Sequence, residues 1–163
     1  MKPFLPTLAL GALLTTLAGP SLAQKQTPLE RGKYLMDSIV ACGNCHLQRG
    51  PQGEPLFDKG LSGGMVFDEP PFKAYAANIT PDRETGIGAW TDAEIGRAIR
   101  EGVSRDGRVM GPPMPFGLYR GMSDADLAAI IAYLRTAGTS EYRIPLPPSY
   151  GPTVAKVDRK SVV

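Results

Sequence analysis

Both cysteines and the single histidine of this 163-residue chain fall within five consecutive positions, Cys42 to His46, in the stretch "ACGNCHLQRG". Four kinds of chemistry use thiols and an imidazole this close together: zinc binding, dithiol exchange, a structural disulfide and covalent capture of a haem. A structural zinc site takes four protein ligands, and two cysteines with one histidine fall short of that set. A thioredoxin-like dithiol belongs in a βαβ setting, whereas the flanks here read as a helix and a Gly-rich loop. A plain disulfide leaves His46 without a role. C-x-x-C-H is the spacing of a c-type haem attachment. Two thiols on a tight turn can each add to one vinyl group of a porphyrin, and the next residue is then held beneath the iron. The expectation is one covalent haem c on Cys42 and Cys45 with His46 as proximal ligand, since no second C-x-x-C-H occurs.

The second axial position follows by elimination. With one histidine, the chain cannot supply two imidazoles. A thioether is the usual alternative in electron-transfer cytochromes, and it raises the reduction potential. Met1 belongs to a segment expected to be removed, and Met36 lies too near the attachment site to reach the opposite face. Met65, Met110, Met114 and Met122 remain. Met114, in "GPPMPFG", is favoured because prolines on both sides stiffen its backbone. Met110, in "RVMGPP", stays open as the alternative. Asn78 in "AANITPD" and Trp90 in "GIGAW" are candidate donors to the haem propionates, because charged groups taken from water need hydrogen-bond partners. Arg83 and Arg108 are candidate ion-pair partners for the same groups. No spare histidine is available as a distal acid or base, so the expectation is electron transfer and not catalysis by this chain.

These residues need elements to hold them. "TPLERGKYLMDSIVACGNCH" predicts a helix capped by a Thr27/Glu30 box, with Pro28 at its first turn, running straight into the cysteines. Tyr34, Leu35, Ile39 and Val40 make its apolar side, and Met36 can extend it. "WTDAEIGRAIREGVS" predicts a second helix, with a Thr91/Glu94 capping box, Ile95, Ala98 and Ile99 on one face, and Gly102 as the stop. "SDADLAAIIAYLRTAG" predicts the third: Ser123 caps it, Leu127, Ile130, Ile131 and Leu134 form the buried stripe, Arg135 suits its C-terminal dipole, and Gly138 ends it. Gly32, Tyr34 and Tyr133 sit where the first and last helices should cross. Between these helices the chain is dense in Gly and Pro and shows no strand pattern, so it reads as wrapped loop. Loops this long need something to wrap around, and a large apolar prosthetic group would supply it.

The bulk composition fits one compact domain: 42% hydrophobic, 21% charged, and a formal net charge of +2 that argues against nucleic acid as a partner. The first residues read as a secretory leader, 1–23. Lys2 is followed by the apolar run "FLPTLALGALLTTLAG", then by Ser21 and Ala23 at the −3 and −1 positions of a cleavage site. That run falls short of the ~20 apolar residues a spanning helix needs. The expectation is export to the periplasm with no transmembrane segment after cleavage, a haem-binding domain over 24–142, and a Pro-rich extended or disordered tail over 143–163.

Four blocks in order, "RGKYLMDSIVACGNCH", "ANITPDRETGIGAWTDAEIGRAIREGVSRDGR", "PPMPFGLY" and "MSDADLAAIIAYLR", cover most of residues 31 to 135. In them the chain resembles the class I c-type cytochromes. More narrowly, it is similar to the cytochrome c domains in the cytochrome subunits of bacterial membrane-bound alcohol and gluconate dehydrogenases. The resemblance implies an all-α, cytochrome c-like fold wrapped around one covalent haem. It also implies the family's ligand set on Cys42, Cys45, His46 and Met114. Those subunits carry three such domains and a membrane anchor, whereas one haem motif and no anchor are expected here. Two roles follow: a periplasmic monohaem carrier of single electrons between a dehydrogenase donor and an oxidase or cytochrome acceptor, or a haem c subunit held permanently in a dehydrogenase or oxidase complex.

Overall fold

The computed structural model describes residues 26–138 except position 112. The leader at 1–23 and the Pro-rich segment at 143–163 lie outside the described residues. In chain order come α1 (Pro28–Tyr34), a π-helical turn (Leu35–Ile39), α2 (Gly43–His46), a 3-10 turn (Phe57–Lys59), strands β1 (Val66–Glu69) and β2 (Phe72–Tyr75), α3 (Asp92–Glu101), α4 (Phe116–Tyr119) and α5 (Asp124–Thr136).

Helix starts follow the local chemistry. Thr27 and Thr91 each accept from the backbone N–H three residues on, while Glu30 and Glu94 reach back to the cap residue. Each box satisfies donors that a helix N-terminus otherwise leaves unpaired. Ser123 accepts from the Asp126 N–H in the same way. At the other end of α3, Gly102 adopts the left-handed conformation of a helix stop. α5 closes at Thr136, with Ala137 as its cap, just before the expected Gly138.

The first helix departs from its expected course in two places. Its second half is a π turn, closed by the Val40 N–H to the Leu35 carbonyl at 2.9 Å. One extra residue per turn rotates the downstream faces away from the α-helical register. The buried set is therefore Leu35, Met36 and Val40, while Tyr34 is 48% and Ile39 64% exposed. An α-helical reading of the apolar side fails at Ile39 for that reason, and at Tyr34, in the last turn of α1, because the ring faces outward beneath the Arg31 guanidinium, 5.7 Å from its centroid. The helix then breaks at Ala41, whose φ of +46° is a left-handed conformation that Ala rarely adopts, so the chain turns before the cysteines.

The stretch expected to be wrapped loop contains an antiparallel hairpin, pairing Val66 with Tyr75 and Glu69 with Phe72. Among the described residues the fold is thus mostly helix and loop, as expected, with a small two-stranded sheet added to it. Pro70 and Pro71 sit in the two-residue turn, where no ladder N–H is required, so they punctuate the strands without interrupting them.

α1 and α5 make the most extensive contact between elements. Arg31 on α1 forks onto both carboxylate oxygens of Asp126 on α5, at 2.8 and 3.2 Å. The core gathers Leu35, Met36, Val40, Ile87, Ile95, Ile130, Ile131 and Leu134. Ile130 is its most enclosed member, 1% exposed, and Leu127 packs against the cluster from a half-buried position. Arg135 does more than meet the helix dipole. It donates to Asp92 (2.8 Å) and to the carbonyls of Ile87 (3.2 Å) and Trp90 (2.5 Å), which ties α5 to the start of α3.

Candidate functional site

The break at Ala41 lets α2 restart at Gly43 with Cys42 as its cap residue. Within that turn the Cys45 and His46 amides both donate to the Cys42 carbonyl, at 3.3 and 2.9 Å. Positions i, i+3 and i+4 of a helical turn share one face, so both thiols and the imidazole project to the same side. Both cysteines are free and half-buried. Burial pushes the Cys42 thiol up to about 11, so it stands as a neutral S–H at physiological pH.

His46 is held at two points. Its carbonyl accepts from the Gly63 N–H at 2.8 Å, and its Nδ1 lies 2.7 Å from the Ala77 carbonyl oxygen. A carbonyl can only accept, so Nδ1 must carry the proton and Nε2 presents a lone pair. Burial lowers the imidazole pKa, opposed by the Ala77 hydrogen bond, so the neutral, metal-ready form is the one favoured. Residue-type reasoning missed Ala77 and Gly63, because a carbonyl has no side-chain signature. The hairpin delivers them: Gly64 N–H donates to Ala76 and Ala76 N–H to Met65, each at 2.9 Å, which extends the strand pairing to the edge of the site. Gly63 has a φ of +78°, and a Cβ there would lie 2.5 Å from the Ala77 carbonyl oxygen. Gly63→Ala is therefore expected to dislodge the carbonyl that orients His46. The check is the haem-to-protein ratio of purified protein, expected to fall several-fold while Gly107→Ala, in open space, has no such effect.

The methionines separate by packing. Met36 is buried in the core and Met122 packs against it. Met110 is half-buried, its N–H donating to the Gly102 carbonyl at 2.7 Å beside the Val103–Val109 bridge. Met114 is also half-buried, set in a turn where its N–H donates to Gly111 (3.2 Å) and its carbonyl accepts from Phe116 (2.9 Å).

The propionate candidates diverge. Asn78 is 4% exposed. Its amide donates to Thr85 at 3.0 Å, and its carbonyl oxygen accepts from the Thr80 N–H and hydroxyl at 2.9 and 2.7 Å, so it braces its own loop. Trp90 lines a small cavity with Ser104, Arg105, Asp106 and Arg108. That brings two of the candidates, Trp90 and Arg108, together without Arg83, in a lining whose two arginines outweigh one aspartate. A larger cavity lies on the other side of α2, against Met36, Ala41, Gly43, Leu47 and Tyr133, and includes neither thiol nor His46.

Whether these residues suit a covalent porphyrin can be judged from the donors themselves. Two thiols and an imidazole with its Nε2 free share one face, and half-buried Leu61, Ile79 and Ile99 join Cys42 along the margin of the core. An apolar macrocycle is the kind of group this surface would pack against. Among the described residues, no cluster of three or more His, Cys, Asp or Glu side chains converges to hold a bare metal ion. The residues fit.

Comparison with known proteins agrees with this chemistry. The family model for cytochrome c matches residues 29–138. A nicotinate dehydrogenase subunit of Pseudomonas putida is 40% identical over 136 residues, covering 77% of this chain and 11% of that protein. The gluconate 2-dehydrogenase cytochrome c subunit of Pantoea cypripedii is 35% identical over 127 residues, covering 76% of this chain and 27% of its own. A dihaem c-type cytochrome of Cereibacter sphaeroides is 32% identical over 100 residues, 61% of this chain and 33% of that protein. The chain thus spans a third or less of the length of these relatives.

Proposed function

This chain belongs to the cytochrome c family, and from that premise we propose that it is the electron-transfer unit of a dehydrogenase complex, carrying one covalent haem c in the periplasm. The observation that carries the reading is the His46 Nδ1 contact with the Ala77 carbonyl at 2.7 Å, which leaves Nε2 free to serve as the proximal ligand. Cys42 and Cys45 would hold the haem through thioether bonds, each S–H adding across one vinyl group without need of an oxidant. Met114 would supply a thioether to the iron, and Trp90 with Arg108 would receive a propionate. The bound haem supplies one-electron chemistry between ferric and ferrous iron. The protein's own task would be to hold the His46 imidazole and the Met114 thioether in place, so that little reorganisation would accompany each transfer.

Complex subunit is favoured over free carrier because relatives are subunits of nicotinate and gluconate dehydrogenases. No described helix is long and apolar enough to cross a membrane, and the attachment proposed is to a partner protein. The leader-like segment 1–23 supports export. A pyridine haemochrome assay on purified protein is expected to give one haem per chain that resists extraction by acidified organic solvent, and Cys45→Ala is expected to lose one thioether and shift the haemochrome maximum. Colourless protein, or extractable pigment, would end this reading. Recovery from the periplasm bound to a dehydrogenase subunit supports the complex, and recovery as a lone monomer supports the free carrier.

A further inference from the structure

One long-range hydrogen bond joins the segment after Met114 to the backbone just ahead of the thiols. The Tyr119 hydroxyl, at the end of α4, donates to the Val40 carbonyl at 2.9 Å across 79 positions of sequence. Val40 closes the π turn, and the left-handed Ala41 directs the chain away immediately afterwards. Its carbonyl therefore lies outside both helices, where such groups must find a partner elsewhere. The phenol supplies one.

The same flank of the Met114 loop is anchored a second time, three residues earlier. Phe116 packs its ring over Gly102 at the stop of α3, so closely that a Cβ there would lie within 2.6 Å of the ring. Met114 thus sits ahead of two fasteners, one apolar at Phe116 and one polar at Tyr119. The polar one lands two residues before Cys42. Tyr119 also packs against the core cluster, so its ring direction is set by more than the hydrogen bond.

We propose that Tyr119 is a positioning residue that holds the Met114 loop closed by tying it to the backbone immediately ahead of the thiols. This rests on the proposed ligation by Met114. Loss of the hydroxyl leaves the Val40 carbonyl short of a partner and frees one end of the loop, so opening should become more frequent without any change of ligand. A net hydrogen bond with its orphaned partner corresponds to about tenfold in such an equilibrium.

The experiment is imidazole binding to the ferric, haem-loaded protein, followed by loss of the sulfur-to-iron absorption band, in wild type and Tyr119→Phe. The Phe variant is expected to retain the band and the reduction spectrum but to bind imidazole about tenfold faster, the factor set by that hydrogen bond, and to lose the band at lower temperature. Leu118→Ala, a neighbour 82% exposed on the same turn, is expected to match wild type. Tyr119→Leu is the second variant should the first not mature, with the same direction expected. Wild-type rates in the Tyr119 variants would overturn the proposal while leaving Met114 ligation intact. Absence of the band from the wild-type protein itself would overturn the ligand assignment and, with it, this proposal.

Discussion

Ferrous Met114→Ala protein is expected to bind carbon monoxide that the wild-type protein excludes, and to lose the sulfur-to-iron band entirely. Met36 is buried in the hydrophobic core, where withdrawing it would open a cavity costing about 2–5 kcal/mol, and Met122 packs against that core from a half-buried position. Met65, Met110 and Met114 are all half-buried and outside the core cluster. Met114 is preferred among them because prolines at 113 and 115 stiffen its backbone. Removing its thioether should also lower the reduction potential, by a sizeable part of the ~0.8 V range that axial ligands span. Carbon monoxide difference spectra and a redox titration would check both. If Met110→Ala opens the iron and Met114→Ala does not, the distal ligand is Met110.

Gly32→Ala is expected to lower the thermal stability of the fold sharply. A Cβ at Gly32 would overlap the backbone carbonyl of Ala129 and lie 2.8 Å from Tyr133 Cβ. Backbone cannot rotate aside as a side chain can, so the two helices would have to separate along their whole contact. Overpacking of this kind costs about 3 kcal/mol. For a domain of this size that corresponds to a fall in Tm on the order of 15 °C. The Arg31–Asp126 pair on the same interface, partly exposed on both sides, is worth about 1 kcal/mol or less and cannot offset it. Thermal unfolding followed by circular dichroism is the measurement, and an unchanged Tm would mean that α1 and α5 do not cross at this residue.

Much of the site is legible in the sequence because its chemistry is local. Cys42, Cys45 and His46 are ordered by one helical turn, and a fixed spacing within one turn is a geometric statement that needs no tertiary partner. Helix starts are legible for the same reason: a Thr and the Glu three residues on satisfy each other's groups whatever surrounds them. The expected crossing at Gly32 also holds, since only a residue without a Cβ allows that approach. Where sequence reasoning fails, the deciding interaction lies elsewhere in the chain. An α-helical period puts Ile39 inward, and the π turn, packed against α5, changes the register. Pro70 and Pro71 hide the hairpin, because their effect depends on whether they fall in a ladder or in its turn.

By itself the sequence determined which atoms could do chemistry, two thiols and an imidazole at haem-attachment spacing with a proline-flanked methionine downstream, because residue type and short-range spacing dictate those. Only the tertiary structure decided how they are aimed. The proton on His46 Nδ1 is placed by the Ala77 carbonyl, which arrives on a hairpin through a glycine too close to admit a Cβ. The Met114 loop is closed on Val40 by a phenol 79 positions away. Orientation of this kind comes from backbone groups and long-range contacts, and neither leaves a mark in the order of side chains.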